Sequence, residues 1–413
     1  MASHDSCSQP GLRPYHEAKA DMLAHLAAVI EPDIISLEQA LNHILAEPVL
    51  SPLDVPSFAN SAMDGYALRA ADIPADSGLK LVGSSLAGHP YNNRIAAGEC
   101  VRIMTGAALP LGADTVVMQE NCQTEHNVVY IKEAPRAGQH VRHPAEDLAQ
   151  GELVFEAGIR INARVLSVLS SLGLEQISVY RPLKVALLST GDELKAPGEL
   201  LSPGDIYDSN RIGVRAMLTR LGIEVLDLGI IADDPVQIRR AFLKAADKAD
   251  AIITSGGVSV GDADYTKQVL DDVGEIGFWK LAIKPGKPFA FGHIGHCAFF
   301  GLPGNPVSAA VTFHLLVRPA LAKLAGEQYQ PPLTLQAKAL APFKKSPGRM
   351  DFQRGLVQVL DDGTLGVRPT GAQGSAVYSA LAQANCLLHL EQDRGNVEAG
   401  EPVTLELIDG HYL

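Results

Sequence analysis

Ala249 to Tyr265 reads ADAIITSGGVSVGDADY, and the fold is decided by how its two halves are read. The apolar run Ala251, Ile252, Ile253 leading into Thr254, Ser255, Gly256 and Gly257 has the form of a buried strand that ends in a tight loop. Ligands of parallel α/β sheets sit beyond the carboxyl ends of such strands. Gly256, Gly257 and Gly261 let the backbone turn sharply and aim its N–H groups at an anion, while Thr254, Ser255 and Ser259 add hydroxyl donors. Tyr265 to Val273 has helical periodicity, so its positive end faces the same spot. The glycine spacing misses the dinucleotide fingerprint, and no Gly-Lys-Ser/Thr follows to make a P-loop. An ordinary Gly-rich strand-to-helix turn is the plain alternative. Asp262 and Asp264 weigh against it, because carboxylates beside an anion site repel the anion unless a divalent cation joins the two.

Outward from this stretch the pattern is strand-helix alternation: strand Lys184 to Ser189, helix Ser209 to Leu221 capped by Ser209, strand Glu224 to Ile231, helix Pro235 to Lys248. That implies a doubly wound parallel sheet with its loops on one rim. Asp192 and Glu193 after the first strand, Asp233 and Asp234 after the second, and Asp262 and Asp264 after the third then share one rim, where their carboxylates can converge. Two further loops belong to the rim. Ile283 to Pro288 (IKPGKP) carries Lys284 and Lys287 on a stiff Pro-Gly turn, and Gly301 to Ser308 (GLPGNPVS) brings Pro303, Asn305, Pro306 and Ser308 to the start of a helix that runs to Leu324. A solvated pair of lysines is the plain alternative for the first.

The flanks have other textures. Met1 to Pro14 reads as a disordered leader. Apolar spacing predicts a helix over Glu17 to Ile30, and the capping-box pair Ser36 and Gln39 predicts a second one ending before Pro48. From Pro52 short strands and many glycines make a β-rich module: Gly65 to Leu68, Leu79 to Val82, Cys100 to Met104, Thr115 to Gln119 and Val128 to Lys132. Its polar spots are Ser57 to Tyr66 (SFANSAMDGY) with Asp64, Arg102 to Leu109 (RIMTGAAL) with Thr105, and Arg136 to Asp147. Plain turn chemistry is the alternative for the first two. Helical texture resumes at Ala163 to Leu172 and stops at Gly173, so the module reads as an insertion into a discontinuous helical domain. After Pro331 alternating strands close the chain as a small β-barrel or sandwich, whose loop residues Arg349, Arg354, Gln373, Gly374 and Ser375 are candidates to reach a neighbouring site. The resulting division is a leader at 1–14, a helical linker domain at 15–51 and 148–181, the insertion at 52–147, an α/β domain at 182–327 and the barrel at 328–413.

Composition bounds the function. A chain of 413 residues is too long for one core. A net charge of -13 argues against a general nucleic-acid or membrane-surface binder, so an anionic ligand must be met by a local cationic cluster, which Lys284 and Lys287 provide. The 5 cysteines have no metal or redox spacing, which suits reduced thiols and a cytoplasmic location. No signal peptide and no uninterrupted apolar run of spanning length is visible.

SFANSAMDGYA, RIMTGA, STGDEL, IYDSN, TSGGVSVGDADY, WKLAIKPGKPF, GLPGNPVSA, GRMDFQRG and QGS occur in this order, and together they make the chain resemble the bacterial MoeA family, the molybdopterin molybdenumtransferases, which is similar to the E domain of gephyrin. The resemblance covers everything after the leader. It implies an α/β multidomain protein: a doubly wound α/β domain of the molybdopterin-binding type, with the insertion, the linker domain and the barrel. It also implies a homodimer whose site lies between the α/β domain of one subunit and the insertion of the other. The implied reaction inserts molybdate into adenylylated molybdopterin and releases AMP with a divalent cation such as Mg2+. One departure stands out: where the family has Arg-x-x-Gly-Glu-Asp, this chain has Ala145 before Glu146 and Asp147.

What the resemblance implies residue by residue agrees with the rim reading. Asp264, Asp262, Glu193 and Asp233 hold the cation and orient the phosphoanhydride. Thr254, Ser255, Gly256, Gly257, Ser259 and Gly261 bind the pyrophosphate with Pro303, Asn305 and Pro306, and Lys280 contacts the pterin or its phosphate. Lys284, Lys287, Ser308, Arg349, Arg354 and Ser375 form the oxyanion site. Asp64, Thr105 and Asp147 come from the partner subunit. Implied partners are a molybdopterin adenylyltransferase and molybdoenzyme apoproteins, without nucleic acid or membrane. Three alternatives remain at this level: an adenylyltransferase, a non-catalytic gephyrin-like dimeric scaffold and a nucleotide pyrophosphatase.

Overall fold

Strands rich in Ile, Val and Leu need cover on both faces, and here helices supply it. The computed structural model, which describes residues 11–73, 78–257 and 265–408, holds a six-stranded sheet. Its strands are β1 (Lys184–Thr190), β2 (Glu224–Ile231), β3 (Ala251–Ser255), β4 (Glu275–Lys280), β5 (Pro288–Ile294) and β6 (Cys297–Leu302), in the spatial order β2-β1-β3-β6-β5-β4. β2, β1, β3 and β6 are mutually parallel, but β5 is antiparallel to both neighbours. The expected all-parallel sheet is therefore mixed. Only Gly295 and His296 separate β5 from β6, and so short a link makes a hairpin where a parallel pair needs a long crossover.

Helices α1 (Ser209–Arg220), α2 (Pro235–Lys248), α3 (Tyr265–Val273) and α4 (Pro306–Leu324) cover the sheet. Val214, Met217 and Leu218 of α1 share a core with α4 and with Val185, Leu187 and Ile253, whereas Ile238 and Phe242 of α2 and Val269 and Leu270 of α3 pack with Ala186, Leu188 and Ile252. Alternate strand residues thus feed opposite faces. Each fully buried Leu, Ile or Phe contributes about 1.5–3 kcal/mol, so both layers are needed to hold the rim still. α1 is capped by Asp208, whose carboxylate accepts from Arg211 N, and not by Ser209 as the sequence suggested. α4 is 19 residues long and apolar enough to pass as a membrane span, but 89% of its length is buried, so it is a core helix.

After α4 the strands β7 (Thr334–Ala339), β8 (Met350–Val359), β9 (Leu365–Pro369), β10 (Cys386–Leu390) and β11 (Pro402–Leu407) close as β8-β9-β7-β11-β10 back to β8. The short helix α5 (Tyr378–Ala382) lies between β9 and β10. Ile283–Lys284 pairs in parallel with Met350 and Asp351 at the start of β8, which ties the IKPGKP turn to the barrel.

These elements belong to one compact unit, which also contains the chain up to Ala46, Gly158–Asn162 and everything from Ser178. Its N-terminal helix, Tyr15–Ala24, is shorter than expected and buries Tyr15, Ala18 and Met22 in the α4 core. The second N-terminal helix does not form: Pro32–Ser36 and Ile44–Leu45 are strands either side of a 3-10 turn at Leu37–Gln39, and both flank Gln176–Tyr180 in one sheet. Arg13 is not disordered leader either, since its backbone pairs with Lys280 and Ala282 and its guanidinium lies 4.5 Å over the Trp279 ring.

The second unit comprises Glu47–Ala157 and Ala163–Ile177. All five expected insertion strands form, with Cys122–Glu125 as a sixth, in one sheet ordered Thr115–Met118, Gly65–Leu68, Glu99–Ile103, Leu79–Ser85, Val128–Ile131, Cys122–Glu125. The helix Ala163–Ser171 stops before Gly173 at φ 74°, the left-handed stop read from the sequence.

Candidate active site

The carboxyl ends of β1, β2, β3 and β6 open into a cleft of about 810 Å³, where the rule for parallel strands puts a ligand. It is lined from β1 by Thr190, Gly191 and Glu193, from β2 by Asp233, from β3 by Ser255, Gly256 and Gly257, and from β6 by Pro303, Asn305, Pro306 and Ser308. Pro288 also lines it, because the antiparallel β5 begins on this rim and keeps the preceding IKPGKP turn there.

The Gly loop needs its glycines for space as well as for φ. Gly256 has φ 90° and a Cβ there would lie 2.6 Å from the Thr190 carbonyl oxygen; Gly257 has φ 65° and its Cβ would lie 2.3 Å from Thr266 Oγ1. The strand end is pinned by Asn210, whose amide donates to Ser255 Oγ at 2.8 Å and to the Gly304 carbonyl at 2.7 Å, joining two of the cleft's loops. Thr254 is buried, and its hydroxyl has no hydrogen-bond partner among the described residues. Ser259, Gly261, Asp262 and Asp264 lie outside the described residues.

Of the expected cation ligands, Glu193 and Asp233 both line the cleft. The Glu193 carboxylate folds back over Gly191, where a Cβ would lie 2.6 Å from its Oε2, and Asp233 N donates to Asp192 Oδ1 at 3.0 Å. No group of three metal-binding side chains occurs among the described residues. Two carboxylates on a wet rim nevertheless fit a hard cation such as Mg2+, which takes one or two carboxylates and completes its shell with water and substrate phosphate.

The expected oxyanion residues divide. Ser308 reaches the cleft, and the carbonyl of Ser375 accepts from Val307 N at 3.1 Å, so the QGS loop abuts the start of α4. Arg354 is 1% exposed; its Nη2 donates to the carbonyls of Ala372 and Gly374, its backbone N and O are bonded to the Gln373 amide, and its Nε has no partner among the described residues. It therefore shapes the QGS loop. Lys284, Lys287, Lys280 and Arg349 are not among the lining residues: Lys284 Nζ lies 3.2 Å from Asp351 Oδ2, Lys287 and Lys280 are exposed, and Arg349 is half-buried. Gly286, between the two lysines, has φ 104° and would push a Cβ to 2.4 Å from Thr312 Oγ1, so this turn lies directly on α4.

In the insertion unit, the Asp-Gly pair is no turn. Gly65 begins a strand, and a Cβ there would fall 1.9 Å from the Val117 carbonyl oxygen. Asp64 accepts from Thr105 N at 2.7 Å and Thr105 Oγ1 at 2.8 Å, which joins two of the polar spots and holds its carboxyl below the usual range. Asp147 is exposed, with its backbone N bonded to the Val55 carbonyl. Ala145 adopts φ 61°, so the loop keeps a left-handed residue without a glycine to make it easy.

Asp208 and Asn210 are functional-looking residues that sequence reading passed over; both sit in IYDSN, one as cap and one as tie between loops. Among the described residues four cysteines are free, and burial pushes the thiols of Cys100, Cys297 and Cys386 up to about 12 and that of Cys122 to about 11, so burial disfavours their thiolate forms.

Residues 13–173 match the MoeA N-terminal region (domain I and II), 186–323 a probable molybdopterin binding domain, and 336–408 the MoeA C-terminal region (domain IV). The chain is 47% identical over 392 residues to the molybdopterin molybdenumtransferase of Haemophilus influenzae, covering 94% of this chain and 97% of that one. To that of a Nostoc species it is 33% identical over 410 residues, covering 97% and 94%. Two solved molybdopterin biosynthesis MoeA proteins of Pyrococcus horikoshii are similar throughout: one at TM-score 0.76 and 30% identity over 97% of this chain and 100% of that chain, the other at 0.82 and 27% over 96% and 100%. The chain belongs to the MoeA family of molybdopterin molybdenumtransferases.

Proposed function

We propose that this protein is a molybdopterin molybdenumtransferase that makes molybdenum cofactor by inserting molybdate into adenylylated molybdopterin, with release of AMP. The observation that carries this is the rim cleft, where a glycine loop built for an anion faces two carboxylates in a chain that matches molybdenumtransferases along nearly its full length. An adenylyltransferase would need no insertion or barrel, and both are present and matched to MoeA regions.

In this reading the N–H groups of Gly256 and Gly257 and the Ser255 hydroxyl take the pyrophosphate, with Ser259 and Gly261. Pro303, Asn305 and Pro306 wall the same anion pocket, and Lys280 meets the pterin side. Glu193 and Asp233, with Asp262 and Asp264, hold Mg2+, which when bound neutralises phosphoanhydride charge. Lys284, Lys287, Ser308, Arg349 and Ser375 form the molybdate site, since a dianion needs several fixed donors, and the buried Arg354 holds the QGS loop that carries Ser375. The subunit division is that of four domains, with the linker at 15–51 and 148–181. The molecule acts as a cytoplasmic homodimer, and Asp64, Thr105 and Asp147 complete the partner's cleft. Molybdopterin adenylyltransferase delivers the substrate and apoproteins of molybdoenzymes receive the product. The test is reconstitution: purified protein, adenylylated molybdopterin, Mg2+ and molybdate should activate an apo-molybdoenzyme, and omission of the protein at low molybdate should abolish activation.

A further inference from the structure

Lys284 carries a four-carbon stem with many rotamers, and its side chain is 42% exposed, so nothing in its own chemistry fixes where the ammonium points. The carboxylate it meets is the opposite. Asp351 is 3% exposed, and its Oδ2 accepts from Gln353 Nε2 at 2.9 Å as well as standing 3.2 Å from Lys284 Nζ. Gln353 is 1% exposed, and the same amide donates to the Lys344 carbonyl at 2.9 Å. Asp351 and Gln353 are two apart on β8, so they share a face of the barrel wall. A rigid strand therefore holds an amide, the amide holds a carboxylate, and the carboxylate holds the tip of a flexible lysine. The backbone repeats the link, since Lys284 pairs with Asp351 and Met350 N donates to the Ala282 carbonyl at 2.8 Å.

We infer that Asp351, steadied by Gln353, is a positioning residue that presents Lys284 to molybdate. This rests on the oxyanion reading of Lys284. A carboxylate beside an anion site looks wrong by charge alone: removing it would, by Coulomb's law, tighten a dianion. Positioning gives the opposite sign, because an untethered lysine must be ordered each time the anion binds. The sign of the effect therefore separates the two accounts.

The experiment is a double-mutant cycle on the full-length protein with Lys284→Ala, Asp351→Asn and the double variant, reading molybdate dependence of AMP release alongside direct binding of adenylylated molybdopterin. Asp351→Asn should raise half-saturating molybdate at least fivefold when Lys284 is present and less than twofold when it is alanine, with pterin binding unchanged. Tighter molybdate use, an unchanged titration, or an equal loss in both backgrounds would overturn the inference. If Lys284→Ala itself leaves molybdate use unaltered, the oxyanion reading fails and the positioning role falls with it. Should Asp351→Asn not fold, Gln353→Met keeps both charges and removes the amide that fixes the same oxygen: positioning predicts a rise in half-saturating molybdate, charge alone predicts none, and an unchanged titration overturns the inference.

Discussion

The carboxylate of Asp64 accepts two hydrogen bonds from one residue, Thr105, through its backbone N at 2.7 Å and its hydroxyl at 2.8 Å. They are 41 positions apart in sequence, and two adjacent strands of the insertion sheet bring them together. The bonds favour the ionised form, so the Asp64 carboxyl is depressed, by the Thr105 backbone N–H first and its hydroxyl second. For a depressed acid the charged state persists to lower pH and is lost as pH falls through the folded value. Thr105→Val removes the hydroxyl bond and should move Asp64 protonation to higher pH. Carbon-13 NMR of the carboxyl, or the acidic limb of the AMP-release profile, reads it, and an unmoved titration would contradict the assignment.

Two cleft glycines make a matched test of backbone crowding. Gly256→Ala forces a Cβ against the Thr190 carbonyl at φ 90°, whereas Gly304 has a non-left-handed φ and open space at its Cβ position. Left-handed strain of about 1–2 kcal/mol plus overpacking of about 1–3 kcal/mol should cost Gly256→Ala roughly 2–5 kcal/mol in urea unfolding. Gly304→Ala should stay within about 0.5 kcal/mol of wild type. Equal losses would mean that the loop is not crowded as described.

Ala145→Gly should stabilise the protein. At φ 61° an alanine carries left-handed strain of about 1–2 kcal/mol, which the added unfolded-state freedom of glycine, about 0.4–1 kcal/mol, offsets only in part. A gain of about 0.5–1 kcal/mol in thermal or urea unfolding is expected. A loss would show that the loop prefers another backbone.

A buried acid should set part of the stability at low pH. Burial opposes ionisation of Glu406, but the bond with His314 and the His389 imidazole 3.3 Å away outweigh it and bring the carboxyl down to about 2. The sign is that of a depressed acid: its stabilisation is complete above its unfolded value near 4.5 and is lost as pH falls toward 2. Glu406→Gln should lower stability at neutral pH and flatten the loss between about pH 4.5 and 2. A variant with the wild-type acid profile would exclude Glu406 as the source.

The sequence revealed more of the α/β layer than of its flanks, for physical reasons. Strands β1, β2 and β3 with helices α2 and α3 are long, periodic and punctuated, so local pattern and tertiary need agree. Leu37 to Leu45 carries a capping pair and helical apolar spacing, yet its neighbours become strands because Gln176–Tyr180, distant in sequence, offers a sheet partner, and Asn42 breaks the run at φ 69°. The glycine loop, the Glu193 and Asp233 rim and the Ser308 helix start were legible because each follows a strand end. The bond from Asp64 to Thr105, the Asn210 tie and the burial of Arg354 were not, since each depends on distant contacts.

A rim cleft that couples loss of AMP to insertion of molybdate is tested by one assay: AMP released from adenylylated molybdopterin by the purified protein with Mg2+, with and without molybdate. Release should be slow without molybdate, rise at least tenfold with it, and fall by at least a hundredfold in Glu193→Gln with the fold retained. Equal release in the presence and absence of molybdate, or full activity in Glu193→Gln, would rule that coupling out.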